Sequence, residues 1–274
     1  MHQVFDIPYI PDELDPLRSF DVHVPPDCPP HSPVLVFVHG GAWQADDKAA
    51  HRPLAERLAL LSHCPVLVPN YRLTTPDTNF QHPRHAEDVL AFLAFLTTWE
   101  GLPAVRLHAT RPLFLLGHSA GAHILAAILL DSDAATPSLA PPPSVRAAVR
   151  GAVLSEGIYD LDALLERFPA YRAWFVAPAF GARASYADVS VVRLPLRQGD
   201  SGSDMRWLIV HSTGDTLVDG PQSAAMAAHL RALYGPDAET RVQCSLDELH
   251  VEHDDAITTP LFLEMVCAFV QSGE

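Results

Sequence analysis

Positive charge is scarce in this 274-residue sequence. There are 18 Lys and Arg residues against 33 Asp and Glu residues, which gives a formal net charge of −15 at pH 7. A protein that binds nucleic acid needs a basic face to neutralise phosphate groups, and an anionic membrane surface attracts basic segments in the same way. The composition therefore excludes nucleic acid and anionic membranes as expected partners.

Long apolar runs and metal-binding spacings are missing as well. No segment reaches the roughly 18 consecutive apolar residues of a membrane-spanning helix, and no basic stretch followed by an apolar run opens the sequence. The four cysteines form no Cys-x-x-Cys pair, and His250 and His253 have no clear third ligand. We expect a cytoplasmic protein without a metal ion or another cofactor.

Apolar residues make up 48% of the sequence and charged residues 19%, which is enough hydrophobic material for a sizeable core. Short apolar runs alternate with longer amphipathic ones, which predicts one α/β domain over residues 1–274, a mostly parallel sheet flanked by helices. The predicted strands are Val34 to Val38, Val66 to Pro69, Leu113 to Leu116, Ala152 to Leu154, Leu208 to Val210 and Arg241 to Cys244. The predicted helices are Arg84 to Trp99, Ala120 to Leu130, Pro221 to Leu233 and Thr259 to Val270.

The interval from about residue 158 to 204 is the longest between predicted strands, and it is rich in aromatic residues. Two interpretations stay open. The interval is either a short lid-like excursion that forms a pocket wall, or an ordinary part of the core, because aromatic side chains are usually buried.

A candidate nucleophile follows the Leu113 strand directly. The turn Gly117-His118-Ser119-Ala120-Gly121 has the Gly-x-Ser-x-Gly pattern, and a predicted helix begins at its end. A sharp turn between strand and helix holds the serine in a strained backbone conformation that exposes its hydroxyl group, and glycines avoid clashes with the neighbouring elements. Strand, turn and helix together predict a serine hydrolase of the α/β-hydrolase fold with Ser119 as its nucleophile.

A second glycine motif, His39-Gly40-Gly41-Ala42-Trp43, ends the Val34 strand. Backbone N–H groups of such a loop, together with the N–H of Ala120, can stabilise the oxygen that becomes negative during acyl transfer. We therefore predict that residues 39–43 and Ala120 form the oxyanion hole.

The serine also needs a base and a carboxylate, which follow in the order Ser, Asp or Glu, His in this fold. Asp215 lies in the loop after the Leu208 strand, with Asp219 and the more remote Asp160 as alternatives. For the base, His253 precedes acidic residues that suit the N-terminus of the last helix, and His250 is the alternative. We predict Asp215 and His253.

Together the two glycine motifs resemble those of kynurenine formamidases (arylformamidases), especially the fungal forms. Further similarities, over nearly the whole chain, are Asn70-Tyr71-Arg72-Leu73, Glu156-Gly157-Ile158-Tyr159-Asp160-Leu161 and Val251-Glu252-His253-Asp254-Asp255. The resemblance implies hydrolysis of N-formyl-L-kynurenine to L-kynurenine and formate without a cofactor. It also implies a triad of Ser119, Asp215 and His253. Because of their aromatic side chains and their placement, Trp43 and Tyr159 are candidate contacts of the aryl ring.

Two other functions stay open. A carboxylesterase of the hormone-sensitive-lipase type would carry the same two glycine motifs, although many such esterases have a third glycine where Ala42 stands. A non-catalytic ligand-binding protein on a hydrolase scaffold typically loses a triad member. The sequence leaves the oligomeric state open, and a homodimer is one expectation.

Overall fold

The structure is a computed structural model that describes residues 1–11, 14–101, 111–197 and 205–272. Its centre is an eight-stranded sheet in the spatial order β1-β2-β4-β3-β5-β6-β7-β8. In chain order the strands are β1 His2–Pro8, β2 Ser19–Val24, β3 Val34–Val38, β4 Val66–Pro69, β5 Leu113–His118, β6 Val149–Ser155, β7 Arg206–Ser212 and β8 Val242–Leu249.

The predicted mostly parallel sheet is confirmed. Strands β3 to β8 pair in parallel, whereas β2 runs antiparallel to both β1 and β4. All six predicted strands are present, although the last one begins at Val242 rather than Arg241, because Arg241 still belongs to a short helix. In a sheet of this type, loops at the carboxyl ends of the parallel strands carry the functional residues.

Helices cover both faces of the sheet. They are α1 Arg52–Ser62, α2 Arg84–Leu96, α3 Ala120–Leu129, α4 Pro143–Ala148, α5 Leu161–Arg167, α6 Ala177–Phe180, α7 Gly220–Tyr234, α8 Ala238–Arg241 and α9 Pro260–Gln271. The four predicted helices are confirmed, and their ends differ from the predicted ones by at most three residues. None of the helices in the described ranges is both long and apolar enough to span a bilayer.

Two hydrophobic cores result from the alternation of side chains along the central strands. In β3, Val36 and Val38 join one core, and Leu35 and Phe37 join the other. Successive side chains of a strand point to opposite faces, so a strand buried on both faces is apolar throughout. One core also includes side chains of α2, α3 and α7, and the other includes side chains of α1 and α9.

Much of the aromatic excursion after β6 belongs to the core that includes side chains of α2, α3 and α7. Tyr159, Phe175, Phe180 and Tyr186 are buried there. A short π-helix, Arg172–Val176, lies between α5 and α6. Residues 198–204 of the predicted excursion lie outside the described ranges. The excursion therefore contributes to the core, and the exposed face of its π-helix remains available to form a cavity wall.

Candidate active site

Ser119 lies in the sharp turn between β5 and α3. Its backbone has φ 54° and ψ −119°, a conformation that non-glycine residues rarely adopt and that costs about 1–3 kcal/mol. The Ser119 N–H donates a hydrogen bond to the Ser155 carbonyl group (2.9 Å), which helps to hold the turn. A Cβ atom at Gly121 would lie 2.2 Å from the Val38 carbonyl oxygen, so only glycine fits there. The predicted strained turn is therefore present.

The second glycine motif forms a tight loop at the end of β3. Gly41, Ala42 and Trp43 all have positive φ values, of 81°, 51° and 60°. A Cβ atom at Gly41 would also lie 2.1 Å from the Ala45 carbonyl oxygen, so this position requires glycine. Gly41 and Ala42 line the same cavity as Ser119. The loop that we predict to supply oxyanion-hole donors thus adjoins the candidate nucleophile.

Tyr71 anchors this loop, a role that the sequence did not predict. Its hydroxyl group contacts the carbonyl oxygens of Gly40 (2.8 Å) and His39 (3.1 Å), to one of which it donates at a time. The His39 ring stacks on the Tyr71 ring at 4.4 Å, and burial lowers the pKa of His39 to about 4. His39 is therefore a neutral structural residue that shapes the backbone of the loop.

Asp215 and His253 meet at the ends of β7 and β8. His253 Nδ1 lies 2.6 Å from Asp215 Oδ2, while Asp215 Oδ1 accepts hydrogen bonds from the N–H groups of Leu217 (2.8 Å) and Val218 (2.9 Å). Burial raises the pKa of Asp215, but the bond and charge of His253 and the Val218 N–H outweigh it and hold the pKa below its ordinary value. Asp215 is thus an ionised acceptor that fixes the His253 ring.

The alternative residues have other partners. Asp219 forms an ion pair with Arg167 (2.9 Å), and the Asp160 side chain caps the N-terminus of α5. His250 is exposed, and its Nδ1 lies 2.6 Å from Thr213 Oγ1. The geometry therefore favours Asp215 and His253 over these three residues.

Ser119 and His253 both line a cavity of about 380 Å³, a size suited to a small-molecule ligand. Three aromatic side chains of the excursion, Tyr171, Trp174 and Phe175, form one wall, and the Trp174 side chain is 57% exposed. The remaining lining residues are Gly41, Ala42, Gln44, Ala45, Ile158, Leu217, Val218 and Asp254. The site thus combines a candidate nucleophile and base with an aromatic surface.

The residues predicted to contact an aryl ring occupy different places. Trp43 and Tyr159 are both fully buried, and neither is among the residues that line the cavity. The Trp43 ring lies in the core, where it packs edge-on against His123 and Phe180 and also contacts Phe175. In this geometry Trp43 supports the cavity wall from behind instead of facing the cavity.

His118, the residue before Ser119, faces the candidate base. Its ring centroid lies 4.7 Å from that of His253, and its Nε2 atom is 3.6 Å from Asp254 Oδ1. Burial lowers the pKa of His118 to about 4, although the contact with Asp254 acts in the opposite direction. A neutral ring at this position adds no positive charge beside His253.

Among the residues that the structure describes, two groups of side chains have potential metal-ligand atoms within 4.8 Å of one another: His118, His253 and Asp254, and Glu156, His211 and Asp215. One group contains His253 and the other contains Asp215, and these two residues already hydrogen-bond each other. A metal ion in either group would compete with this pair, so the donor sets fit a triad better than a metal centre.

Known proteins are similar to this chain in sequence and in fold. Residues 35–253 match a family of the alpha/beta hydrolase fold. A kynurenine formamidase of Meyerozyma guilliermondii is 31% identical over 72% of this chain and 71% of its own length. The chain belongs to the kynurenine formamidase family of α/β-hydrolases. A kynurenine formamidase of Eremothecium gossypii is also 31% identical, over 72% of this chain and 79% of its own length.

Solved structures extend the comparison to the fold. An inhibited esterase B from Lactobacillus rhamnosis superposes with a TM-score of 0.78, over 99% of this chain and 85% of that protein, at 18% sequence identity. An identity this low shows the fold alone. This chain therefore has the α/β-hydrolase fold that the pattern of strands and helices predicts.

Proposed function

We propose that the protein is an arylformamidase that hydrolyses N-formyl-L-kynurenine to L-kynurenine and formate, with Ser119, Asp215 and His253 as its catalytic triad. One observation carries the proposal. Ser119 and His253 line one cavity with an aromatic wall, and His253 is bonded to Asp215, in a chain that is 31% identical to a kynurenine formamidase. No metal ion or organic cofactor enters the proposed reaction.

In the first half of the reaction, Ser119 Oγ attacks the formyl carbon of the substrate while His253 accepts the hydroxyl proton. Asp215 keeps the Nδ1 proton of His253 in place, so that Nε2 is free to act as the base. The carbonyl oxygen becomes negative and is stabilised by the N–H groups of the 39–43 loop and Ala120. The C–N bond then breaks, and His253 protonates the leaving aryl amine.

In the second half, water attacks the formyl ester on Ser119. His253 takes a proton from this water, and the resulting tetrahedral intermediate collapses to formic acid, which loses its remaining acidic proton to solvent and leaves as formate. The proton returns from His253 to Ser119 Oγ, which restores the free enzyme. Each half therefore uses His253 first as a base and then as an acid.

The aromatic wall suits the aryl ring of the substrate. Trp174 is edge-on to Tyr171 with their ring centroids 5.3 Å apart, and its carbonyl group accepts a hydrogen bond from the Gln44 side chain (3.0 Å). This bond ties the wall to the residue that directly follows the 39–43 loop, which is proposed to hold the oxyanion. Trp174 can therefore bind the aryl ring at a fixed place relative to the reacting carbonyl group.

The proposal also includes a cytoplasmic location and a homodimer. Fractionation of the source cells, with detection of the protein by an antibody, tests the location. Light scattering of the purified protein tests the dimer, and a mass of one chain at micromolar concentration would contradict it.

Turnover of N-formyl-L-kynurenine beside p-nitrophenyl acetate tests the substrate assignment, with both products followed by absorbance. We expect the higher kcat/KM on N-formyl-L-kynurenine. A far higher kcat/KM on the ester would favour a carboxylesterase. Absence of turnover on both, together with failure of Ser119 to react with a fluorophosphonate probe, would favour a non-catalytic binding protein.

A further inference from the structure

A buried carboxyl group lies beside the Asp215–His253 pair. Glu156 directly follows β6, is fully buried, and has a positive φ of 51°, which is uncommon for glutamate. Its Oε1 atom accepts a hydrogen bond from the Ser212 N–H at the end of β7 (2.9 Å). Backbone strain and burial of an acidic group both cost free energy, so packing alone does not account for Glu156 at this edge of the sheet.

The second oxygen of Glu156 faces the site. Oε2 lies 3.0 Å from His211 Nδ1, and ligand atoms of Glu156, His211 and Asp215 all lie within 4.8 Å of one another. His211 is itself held by Ser223, whose Oγ atom is 3.0 Å from the same Nδ1. The carboxyl groups of Glu156 and Asp215 are therefore near neighbours in a buried environment.

Two buried carboxyl groups at this separation do not both ionise at neutral pH, because their charges repel each other in a medium of low dielectric constant. Asp215 has the stabilising partners of an ion, namely His253 and two backbone N–H groups. Burial, followed by the contact with Asp215, raises the pKa of Glu156 to about 10. The proton of the pair thus belongs to Glu156, whose O–H group can donate to Asp215.

We propose that Glu156 is a positioning residue of the triad, and that its carboxyl group supports the Asp215 carboxylate through a donated hydrogen bond. This role rests on the triad given under the proposed function. The bond fixes Asp215 in the orientation that holds His253, and it keeps a second negative charge away from the pair. Glu156 does not touch the reacting atoms.

Replacement of Glu156 by Gln and by Ala separates this role from packing. A Gln side chain has nearly the same shape, can accept from Ser212 N–H through its oxygen, and can donate to Asp215 through its amide group. An Ala side chain can do neither. We expect kcat of Glu156→Ala to fall about 10- to 100-fold with KM little changed. A loss of this size is typical when a residue that orients a functional side chain is removed. Glu156→Gln should retain at least about a third of the activity.

The pH profile supplies a readout that a packing role would not move. In the wild type, kcat/KM should fall as pH rises through about 10, because Glu156 then ionises beside Asp215. Glu156→Gln cannot ionise, so this alkaline limb should be weaker. The other titratable groups around the pair are shared by both proteins: His211, His253, Asp219, Tyr159 and Tyr171.

Glu252→Gln is the matched control, because Glu252 is an exposed residue bonded to Thr216 (2.7 Å), and its profile should follow the wild type. Re-assay at pH 8 after exposure to high pH separates ionisation from unfolding. If Glu156→Ala does not fold, the comparison of Glu156→Gln with the wild type at high pH decides alone.

Three results would overturn the role of Glu156. They are equal impairment of folded Glu156→Gln and Glu156→Ala, more than half of the wild-type activity in Glu156→Ala, and identical alkaline limbs in Glu156→Gln and the wild type. All profiles are measured on N-formyl-L-kynurenine and on p-nitrophenyl acetate. Turnover of the ester alone would refute the proposed substrate, while the ester profiles would still test Glu156.

Discussion

Asp215→Asn isolates what the candidate acid contributes to catalysis. The Asn oxygen can still accept from the N–H groups of Leu217 and Val218, so the loop should keep its shape. The amide group, however, replaces the Oδ2 acceptor that lies 2.6 Å from His253 Nδ1. An amide N–H there favours the His253 tautomer with the proton on Nε2, which cannot accept the proton of Ser119.

The magnitude follows from this change of tautomer. In serine hydrolases the corresponding Asp-to-Asn change lowers kcat about 10⁴-fold, and each factor of ten corresponds to about 1.4 kcal/mol, so about 5.5 kcal/mol of transition-state stabilisation should be lost. Steady-state turnover of N-formyl-L-kynurenine measures this effect. Thermal unfolding of the variant shows whether the fold is retained.

Asp219→Asn is the matched control for this experiment. Asp219 is the alternative acid, and it forms an ion pair with the largely exposed Arg167. Such pairs contribute about 0–1 kcal/mol to stability, so activity should stay close to that of the wild type. The reasoning would be refuted if Asp215→Asn stayed within tenfold of the wild type, or if Asp219→Asn were the more impaired variant.

Four further substitutions test the base, the wall and the loop. His253→Asn should lower kcat at least about 10³-fold. His250→Asn loses only the contact with Thr213, so its kcat should stay within about threefold of the wild-type value. The opposite order in a turnover assay would exchange the roles of the two histidines. Trp174→Ala should raise KM for N-formyl-L-kynurenine about tenfold, because the aryl ring loses its stacking surface. Thermal stability should change little, because Trp174 is 57% exposed. An unchanged KM would contradict the role of Trp174. Tyr71→Phe leaves buried carbonyl oxygens of the 39–43 loop without their hydroxyl donor. The free energy of unfolding, measured by denaturant titration, should therefore fall by about 1–3 kcal/mol, and kcat should fall more than KM changes. An unchanged free energy of unfolding and an unchanged kcat would contradict the role of Tyr71 as an anchor.

The central part of the fold could be predicted because its strands and helices are apolar in simple periods. Val34–Val38 is apolar throughout, and the predicted strand has the observed ends. Strands β1 and β2 were missed because polar residues interrupt them. Asp21, in the middle of β2, is buried, and Lys48 and Arg52, far along the chain, form ion pairs that compensate its charge. No local pattern contains that information.

Some residues of the candidate site could likewise be predicted from local sequence patterns, and others could not. Ser119, Asp215 and His253 each follow a recognisable strand, so their order and placement could be predicted. The roles assigned to Tyr71, Trp174 and Glu156 depend on contacts between distant segments. The bond from Gln44 to the Trp174 carbonyl group, for example, spans 130 positions in the sequence. The sequence predicts Trp43 at the substrate because its motif is distinctive, but its ring lies in the core, where it packs against His123 and Phe180.

Turnover of N-formyl-L-kynurenine by the wild type and by Ser119→Ala tests the central claim most directly. Ser119 is the only triad member that forms the acyl bond, and Ala keeps the turn between β5 and α3. The wild type should release L-kynurenine and formate in equal amounts, and Ser119→Ala should be slower by at least about 10⁴-fold. Equal turnover by the two proteins, or no turnover by the folded wild type, would contradict the account.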